Sequence, residues 1–353
     1  MTLSVASVTV AYNAVSSIPR QMEALLGQTR PLQEIVVVDN ASVDGTSVLL
    51  AERYPQVTVL KMSENVGAAG AWSAGLAHAA LKKRHDWVWT FDDDSVPNVD
   101  ALHSLVNAVE TLGTTDGVIG MVAPLPVHRE TGTSYPPLLW REGFVTPSAE
   151  LLSQQIWFAD LVILSGCMVL RDVVEKIGLP RSDFFMDFFD FEYCLRARSH
   201  GYKIAVITQA KVAHEIGSPR RFKLLGHEAI WTDHSPWRHY YMARNEVFTI
   251  WSYYAGWGPK YSVLRRLFQR ASRLLLYGKQ KTACLKMMFL GIVDGRRGRL
   301  GVRFLDEARS SPRVHRSLDP STNRSDDGGF VENKGAKDIL GVPVSTQPGK
   351  TIT

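Results

Sequence analysis

The first 125 residues alternate between short apolar runs and amphipathic stretches, and this alternation constrains the fold more than any other feature. Four apolar runs have the length and β-branched content of buried strands. They span residues 5–12, 34–39, 57–61 and 86–91. Helical patterns separate these runs and cover residues 17–28, 44–54, 67–83 and the stretch from Asn98. Such alternation predicts an α/β fold with a mainly parallel sheet flanked by helices, in which ligands bind at the carboxyl ends of the strands.

Three consecutive aspartates, Asp92, Asp93 and Asp94, directly follow the fourth predicted strand. Carboxylates about 6 Å apart repel each other by roughly 2–3 kcal/mol at an effective dielectric constant near ~20, so a cation would make this cluster less costly. Oxygen ligands suit Mg²⁺ or Mn²⁺, which often also bind substrate phosphates. A solvated acidic turn that caps the next helix is the alternative.

Two further segments follow predicted strands and should lie on the same edge of the sheet. Asp39 ends the second strand, where its carboxylate can accept hydrogen bonds from a base or a ribose, whereas Ser42 and Asp44 have the spacing of helix caps. The segment ENVGAAGA, residues 64–71, has small residues before a helix. These residues would let an anion approach the backbone closely, or would serve only for tight packing.

Asp190 and His214 are the candidate catalytic and metal-binding residues of the second half. Asp190 lies at the start of a predicted helix, whose dipole favours the ionised carboxylate, so it can act as a general base or cap the helix. Glu192 and Arg196 have the spacing of a surface ion pair. His214 follows a predicted strand and can complete an oxygen-rich site for a divalent ion, or serve a structural role.

Charge is concentrated in a basic segment between Lys260 and Arg303, which has twelve basic residues and one acid. It carries +11 in a chain of net charge +5, which leaves −6 on the rest. An apolar line at helical spacing consists of Tyr261, Leu264, Phe268, Ala271 and Leu275. The arginines beside that line are Arg265, Arg266, Arg270 and Arg273. This pattern predicts a helix in an anionic membrane interface, or one packed on the protein with a solvated basic face; no nucleic-acid motif accompanies it.

The pattern along the chain also predicts the domain organisation and compartment. Residues 1–235 are expected to form the domain that contains the candidate catalytic residues, divided near residue 125; residues 236–304 are expected to be helical and basic, and residues 305–353 largely disordered. No apolar stretch approaches the ~20 residues of a membrane span, and the N-terminus lacks the basic region of a signal peptide. Three cysteines without a CxxC pair indicate a reducing compartment.

Taken in order, these motifs resemble family 2 of the glycosyltransferases, which have the GT-A fold. The resemblance covers about residues 5–250 and rests on seven ordered segments. They are VAYN (10–13), VVVDNASVDGT (36–46), ENVGAAGA (64–71), TFDDDSVP (90–97), SGCMVLR (165–171), DFFDFEYCLRARSHGYK (187–203) and VAHEIG (212–217). GIVDGRRGRLG (291–301) and the form NVGAAGAW are similar to those of bacterial rhamnosyltransferases and galactofuranosyltransferases, which build cell-envelope glycans on lipid-linked acceptors.

The resemblance implies a role for each matching residue. Asp39 would bind the nucleotide base, and Asp93 would lie near the donor sugar. The residues near the nucleotide or pyrophosphate would be Tyr12, Asn13, Asn65 and Gly67. Asp92 and Asp94 would hold Mn²⁺ or Mg²⁺ and the donor diphosphate, and His214 would complete the metal site.

Asp190 matches the catalytic base of the family. Relatives often have tryptophan or glutamate before this aspartate, whereas Phe189 stands here, so Asp187 or Glu192 remains open as the base.

The implied reaction is the metal-dependent, inverting transfer of rhamnose or galactofuranose from a UDP- or dTDP-linked donor. The acceptor would be a hydroxyl of a glycan or a polyprenyl-linked molecule, and the protein would be cytoplasmic and peripheral on the inner face of the cell membrane. Two other functions remain open: an aspartyl phosphotransferase or phosphatase using Asp92 and Asp94, and a non-catalytic sugar-nucleotide-binding membrane module. Three βαβ units precede the aspartates, and this order disfavours the phosphotransferase.

Overall fold

The computed structural model describes residues 3–112, 118–129, 132–214, 220–224, 227–231 and 233–304. The predicted disordered tail, residues 305–353, lies outside the described residues, as does Glu215–Gly217 of the VAHEIG segment. Among the described residues, no helix combines the length and the apolar character that crossing a membrane requires.

The strands of the N-terminal half lie where the apolar runs predict them, and further strands follow in the second half. In chain order they are β1 (Val5–Ala11), β2 (Glu34–Asp39), β3 (Thr58–Lys61), β4 (Trp87–Asp92), β5 (Val96–Pro97), β6 (Ile119–His128), β7 (Leu139–Trp140), β8 (Phe144–Val145), β9 (Ile156–Ala159), β10 (Met168–Leu170), β11 (Lys203–His214), β12 (Arg220–Leu224) and β13 (His227–Trp231).

The α-helices alternate with the first strands and dominate the chain from Pro236. They are α1 (Ile18–Leu26), α2 (Thr46–Arg53), α3 (Gly67–Leu76), α4 (Ala101–Leu112), α5 (Ala149–Ser153), α6 (Arg171–Ile177), α7 (Phe189–Ser199), α8 (Pro236–Tyr253), α9 (Trp257–Tyr277) and α10 (Lys281–Arg296). The helical pattern predicted over residues 67–83 is α-helical only to Leu76, and a π-helix, Ala77–Lys82, continues it.

Nine of the described strands form one sheet, in the order β3-β2-β1-β4-β10-β6-β11-β5, with β9 also on β11. β1 to β4 are mutually parallel, as the sequence predicts, and β10 is antiparallel to both of its neighbours, β4 and β6. β11 is parallel to β6. Because β10 reverses direction between them, β4, β6 and β11 all end at the same edge of the sheet.

The central strands are buried on both faces because helices cover the sheet from each side. In β1, Ala6, Val8 and Val10 contribute to one apolar core, while Val5 and Ala11 contribute to the other. This alternation follows from the two-residue period of side chains in a strand. The sheet is therefore covered on both faces, and Asp39 and Asp92 lie where β2 and β4 end at its carboxyl edge.

The C-terminal helices pack closely on each other through glycines of the GIVDGRRG segment. A Cβ atom at Gly291 would overlap the carbonyl oxygen of Tyr240, and one at Gly295 would overlap that of Arg244. The missing side chains let the backbones of α8 and α10 approach closely. These two glycines of the segment therefore have a packing role between helices.

Two of the arginines beside the predicted apolar line of helix α9 point into the protein. Arg266 is buried, its Nε atom lies 3.2 Å from Oε1 of the buried Glu246, and its guanidinium lies over the ring of Phe144 at 3.8 Å. Arg270 pairs with the other oxygen of Glu246 at 3.5 Å. The alternative of a solvated basic face is therefore wrong for these two arginines, because they pair with Glu246 on α8.

Candidate active site

Two strand ends bring three potential metal ligands together at the carboxyl edge. β4 ends at Asp92 and β11 ends at His214. One ligand atom from each of Asp92, Asp94 and His214 lies within 4.8 Å of the other two. Two carboxylates and one imidazole form a donor set that fits Mn²⁺ or Mg²⁺ together with substrate oxygens.

A chain of hydroxyl groups orients the histidine of this cluster. The Oγ atom of Ser95 lies 2.6 Å from Nδ1 of His214 and 2.7 Å from Oγ of Ser165. The backbone N–H of Asp92 donates to the same Ser165 hydroxyl at 2.9 Å. Neither Ser95 nor Ser165 carries a sequence signal of its own that marks it as a site residue. Ser165 lies within the SGCMVLR segment, but only the pairing of β10 with β4 brings it to the aspartates.

The charges around His214 favour its protonated form. Burial by itself would lower the pKa of His214, but the hydrogen bond with Asp94 and the charges of Asp92 and Asp93 raise it overall above its usual value. When His214 is protonated, its imidazolium offsets part of the negative charge of the aspartates. A divalent ion would take the place of this proton, since a metal-binding histidine must be neutral.

The turn that contains the aspartates is held from the first strand and the first helix. Asp93 is buried, and its Oδ2 atom accepts the N–H of Tyr12 at 3.1 Å. The side-chain amide of the buried Gln21 donates to the carbonyl oxygens of Asp92 at 2.5 Å and of Ser95 at 2.7 Å. Asp93 thus joins the end of β1 to the turn, and Gln21, which the sequence analysis did not identify, supports the turn from α1.

Asp39 and Asn13 lie beside this turn, on the edge formed by β1 and β2. One oxygen of Asp39 accepts the N–H of Ser42 at 2.9 Å, and the other accepts the hydroxyl of Ser47. Asn13 donates its N–H to Oγ of Ser42 at 2.9 Å and accepts the N–H of Val43 at 2.9 Å. These contacts shape the loop after β2. Asp39, the last residue of β2, is buried where this loop begins.

Asn65 is linked to the same loop through Asn40, a residue that the sequence analysis quoted only within a motif. The Asn40 amide donates to Oδ1 of Asn65 at 3.0 Å, and its carbonyl accepts the N–H of Val66 at 2.9 Å. Oδ1 of Asn65 also accepts the N–H of Gly67 at 2.9 Å. The two asparagines therefore fix the entry into α3 relative to the end of β2.

Gly67 is in contact with another part of the protein. Its φ angle is +76°, and a Cβ atom there would overlap the backbone of Phe185. The N–H of Ala69 donates to the carbonyl oxygen of Phe185 at 3.0 Å. The first turn of α3 thus abuts residues 183–188, the loop that leads into α7, and glycine is needed for that approach.

Asp190 is the second residue of α7 and is half-buried. Its Oδ1 atom accepts the N–H of Phe191 at 2.8 Å. Burial raises the pKa of Asp190 to about 7, against the opposing hydrogen bond from Phe191, and the charges of Asp187 and Asp92 contribute to the rise. A carboxyl group with a pKa close to neutrality is suited to general base catalysis.

The two neighbouring acids are each paired with an arginine. Arg238 binds Asp187 through Nε at 3.0 Å and Nη2 at 2.9 Å. Burial alone would raise the pKa of Asp187, but Arg238 lowers it below its ordinary value. Glu192 accepts from Arg196 at 3.0 and 3.1 Å, so the predicted ion pair forms. Its predicted place at the surface is wrong, because Glu192 is buried.

Comparison with known proteins finds a glycosyltransferase family model that matches part of this chain. Residues 7–178 match the family model "Glycosyl transferase family 2". The matched span contains the aspartates at the end of β4 and ends before Asp190 and His214.

Two curated relatives align over most of the chain. The dTDP-rhamnosyl transferase RfbF of Shigella flexneri is 26% identical over 271 residues, which cover 76% of this chain and 87% of that protein. The galactofuranosyltransferase GlfT1 of Mycobacterium tuberculosis is 25% identical over 260 residues, which cover 71% of this chain and 83% of that protein. The sequence-based resemblance to rhamnosyl- and galactofuranosyltransferases is therefore confirmed.

Solved structures share the fold at low sequence identity. GalNAc-T7, solved with UDP, GalNAc and Mn²⁺, superimposes with a TM-score of 0.55 and 16% identity, over 84% of this chain and 56% of that one. TarS of S. aureus superimposes with a TM-score of 0.54 and 13% identity, over 86% of this chain and 50% of that one. This chain thus spans about half the length of these two proteins. Residues 7–178 therefore form a domain of glycosyl transferase family 2, within a chain that has the GT-A fold.

Proposed function

We propose that this chain is an inverting glycosyltransferase in which Asp190 is the general base. One observation carries the proposal: Asp190 is half-buried in the first turn of α7, where burial together with the charges of Asp187 and Asp92 raises its pKa to about 7. Asp187 and Glu192 are held by arginines, which leaves Asp190 as the favoured proton acceptor of this segment.

The reaction needs a single displacement. The carboxylate of Asp190 accepts the proton of an acceptor hydroxyl while the hydroxyl oxygen attacks the anomeric carbon of the donor. The bond between that carbon and the diphosphate oxygen breaks, and the nucleoside diphosphate leaves on the opposite face. One attack from the opposite face inverts the anomeric configuration, and a single base suffices for this route.

Asp92, Asp94 and His214 would hold Mn²⁺ or Mg²⁺ in this enzyme, because their ligand atoms converge and their chemistry suits such an ion. A divalent ion bound there supplies positive charge that offsets the charge of the leaving diphosphate. Asp93 braces the turn that contains the metal ligands and lies beside the donor sugar in this proposal.

The donor in this proposal is a UDP- or dTDP-linked sugar, and rhamnose or galactofuranose is favoured by the two curated relatives. Asp39 would bind the base. The other groups at the nucleotide would be Tyr12, Asn13, Asn65 and Gly67. The position of these residues supports this assignment, because the loops after β1, β2 and β3 meet beside the acidic turn.

The proposed acceptor is a glycan or a polyprenyl-linked molecule at the inner face of the cell membrane. An exposed apolar stripe on α9 supports this location, and its residues are Trp257, Tyr261, Leu264, Phe268 and Leu275. Their spacing places them on one side of the helix, and each is between 44% and 75% exposed. The exposed Arg265 and the basic segment around it favour anionic lipids, so the stripe would lie in the interface of the cytoplasmic leaflet.

A panel of nucleotide sugars tests the proposal, with nucleoside diphosphate release measured with Mn²⁺ and an acceptor glycan. We expect dTDP-rhamnose or UDP-galactofuranose to be consumed and the glycosidic bond in the product to have the inverted configuration. Retention of the anomeric configuration in the product would contradict the proposed inversion. Normal turnover in Asp190→Asn would contradict the assignment of Asp190 as the base.

A further inference from the structure

The loop of residues 183–188, which leads into α7, has an unusual backbone conformation. Phe185, Asp187 and Phe188 have φ angles of +64°, +57° and +66°. Residues with a Cβ atom rarely adopt positive φ angles, and for bulky side chains such as those of Phe185 and Phe188 such angles are outliers. Such a conformation persists only where surrounding contacts impose it. The loop that precedes Asp190 must therefore be held from outside.

Asn245 of α8 supplies one set of these contacts. Its side chain is fully buried, and its Nδ2 atom lies 3.0 Å from the carbonyl oxygen of Phe184, 2.7 Å from that of Met186 and 2.9 Å from that of Asp187. Its Oδ1 atom accepts the Nε–H of Arg244 at 2.8 Å. The two N–H bonds of this amide are thus shared among three main-chain carbonyls of the loop.

Arg244 supplies the second set and is likewise fully buried. Its Nη2 atom donates to the carbonyl oxygens of Asp183 at 3.1 Å and Phe184 at 2.9 Å. Its Nη1 atom donates to the carbonyl oxygen of Gly301 at 2.6 Å. Because Arg244 donates to main-chain oxygens, it fixes the path of the loop backbone without contacting the side chains of the loop through these bonds.

The opposite side of the loop is held by α3, where Ala69 donates to the carbonyl oxygen of Phe185. The loop is therefore clamped between α3 of the catalytic domain and α8 of the C-terminal helices. Since Asp190 is only the second residue of α7, the end of this loop determines where its carboxylate lies.

We propose that Arg244 and Asn245 are positioning residues, which hold the loop so that Asp190 faces the acceptor hydroxyl. The inference rests on the proposed function of Asp190 and extends it to the C-terminal helices. These helices then contribute to turnover directly, through the geometry of the base, as well as to folding.

The test compares Asn245→Ala with Ile250→Ala in the full chain. Ile250 is a fully buried residue of the same helix and truncating it removes only apolar contacts. We expect Asn245→Ala to lower kcat at least tenfold with dTDP-rhamnose or UDP-galactofuranose, with KM for the donor and affinity for UDP–Mn²⁺ within twofold of wild type. Ile250→Ala should lower Tm and leave kcat unchanged.

Hydrogen exchange provides a readout that does not depend on activity. In folded Asn245→Ala, the amide of Ala69 and those of residues 183–188 should exchange faster than in wild type, and Ile250→Ala should not reproduce this. Arg244→Lys, which retains the charge, serves as the second variant should Asn245→Ala not fold.

Unchanged exchange in the loop, or an equal loss of kcat in Ile250→Ala, would overturn the positioning role. Failure of the proposed function has a different signature, which is normal turnover in Asp190→Asn. If Asp190→Asn is inactive and Asn245→Ala is fully active, only the positioning role fails.

Discussion

Oδ1 of Asp94 lies 3.2 Å from Nδ1 of His214, although the two residues belong to distant parts of the chain. The contact exists because β10 is inserted antiparallel between β4 and β6, so β4 and β11 end at the same edge. β5, which follows the aspartates, pairs with the last residues of β11 and draws the two ends together.

Removing either side of this contact should weaken metal-dependent binding of the nucleotide. We expect Asp94→Ala and His214→Ala to lower affinity for UDP with Mn²⁺ by more than tenfold, which corresponds to about 1.4 kcal/mol. Isothermal titration measures the change, with Glu175→Ala, a partly exposed acid of α6, as the control. If a chelator leaves the affinity of the wild-type protein for UDP unchanged, the metal site is ruled out.

Asp190→Asn should separate catalysis from binding. The amide preserves the shape of the side chain and cannot accept the hydroxyl proton, so transfer should fall about 10²–10⁴-fold, the usual contribution of a general base. Binding of UDP with Mn²⁺ should be retained, as measured by titration on the same preparation. Normal turnover in Asp190→Asn would show that another residue is the base.

The pH dependence of turnover should report the raised pKa of Asp190. The ionised carboxylate is the active form, so kcat should rise about tenfold per pH unit below a pKa of about 7 and level off above it. The sign for stability is opposite: because the folded state binds this proton more tightly than the unfolded state, ionisation of Asp190 should lower stability as pH rises from about 4 to 7. A kcat profile that is flat from pH 5 upward would instead indicate a base whose pKa is low, such as Asp187.

Gly67→Ala should disturb the loop before α7 as well as α3. The new methyl group would overlap the backbone of Phe185, and the positive φ angle adds strain, so we expect a loss of about 1–3 kcal/mol in the free energy of unfolding. Gly201→Ala is the matched control, because its φ angle is +86° and no atom lies within 4 Å of its added Cβ. Urea unfolding measures both; equal losses would show that the contact with Phe185 contributes nothing.

The apolar stripe on α9 predicts binding to anionic vesicles. Trp257→Ser combined with Phe268→Ser should reduce flotation with phosphatidylglycerol vesicles at least tenfold. Both rings are exposed in the protein, and each ring that becomes buried in the membrane contributes about 1.5–3 kcal/mol to binding. Phe158→Ser, an exposed aromatic residue of β9, is the control. Flotation of the double variant equal to that of wild type would exclude the stripe as the membrane contact.

The N-terminal half was predictable from sequence because its signals are local. The run EIVVVD predicts β2 at the residues where it occurs, and the alternation of strands and helices predicts the parallel strands from β1 to β4. The aspartates, Asp190 and His214 could be selected as candidates from residue type and their position after strands or before a helix.

Contacts between distant segments could not be predicted in this way. Ser165 reaches the acidic turn only because β10 is inserted antiparallel beside β4. Glycine is needed at position 67 because a Cβ atom there would overlap the carbonyl oxygen of Phe185. The periodicity of α9 correctly identified an apolar line, but which side of the helix is buried depends on Glu246, which lies on another helix.

The amino-acid sequence by itself determined the α/β class, the resemblance to glycosyltransferase family 2 and the set of candidate residues, since periodicity, residue type and motif order are properties of the chain. The tertiary structure alone decided that Asp92, Asp94 and His214 converge, that Arg266 is buried and that Arg244 and Asn245 hold the loop before Asp190. The physical reason is that strand direction and helix rotation are set by packing across the whole molecule, which no local pattern encodes.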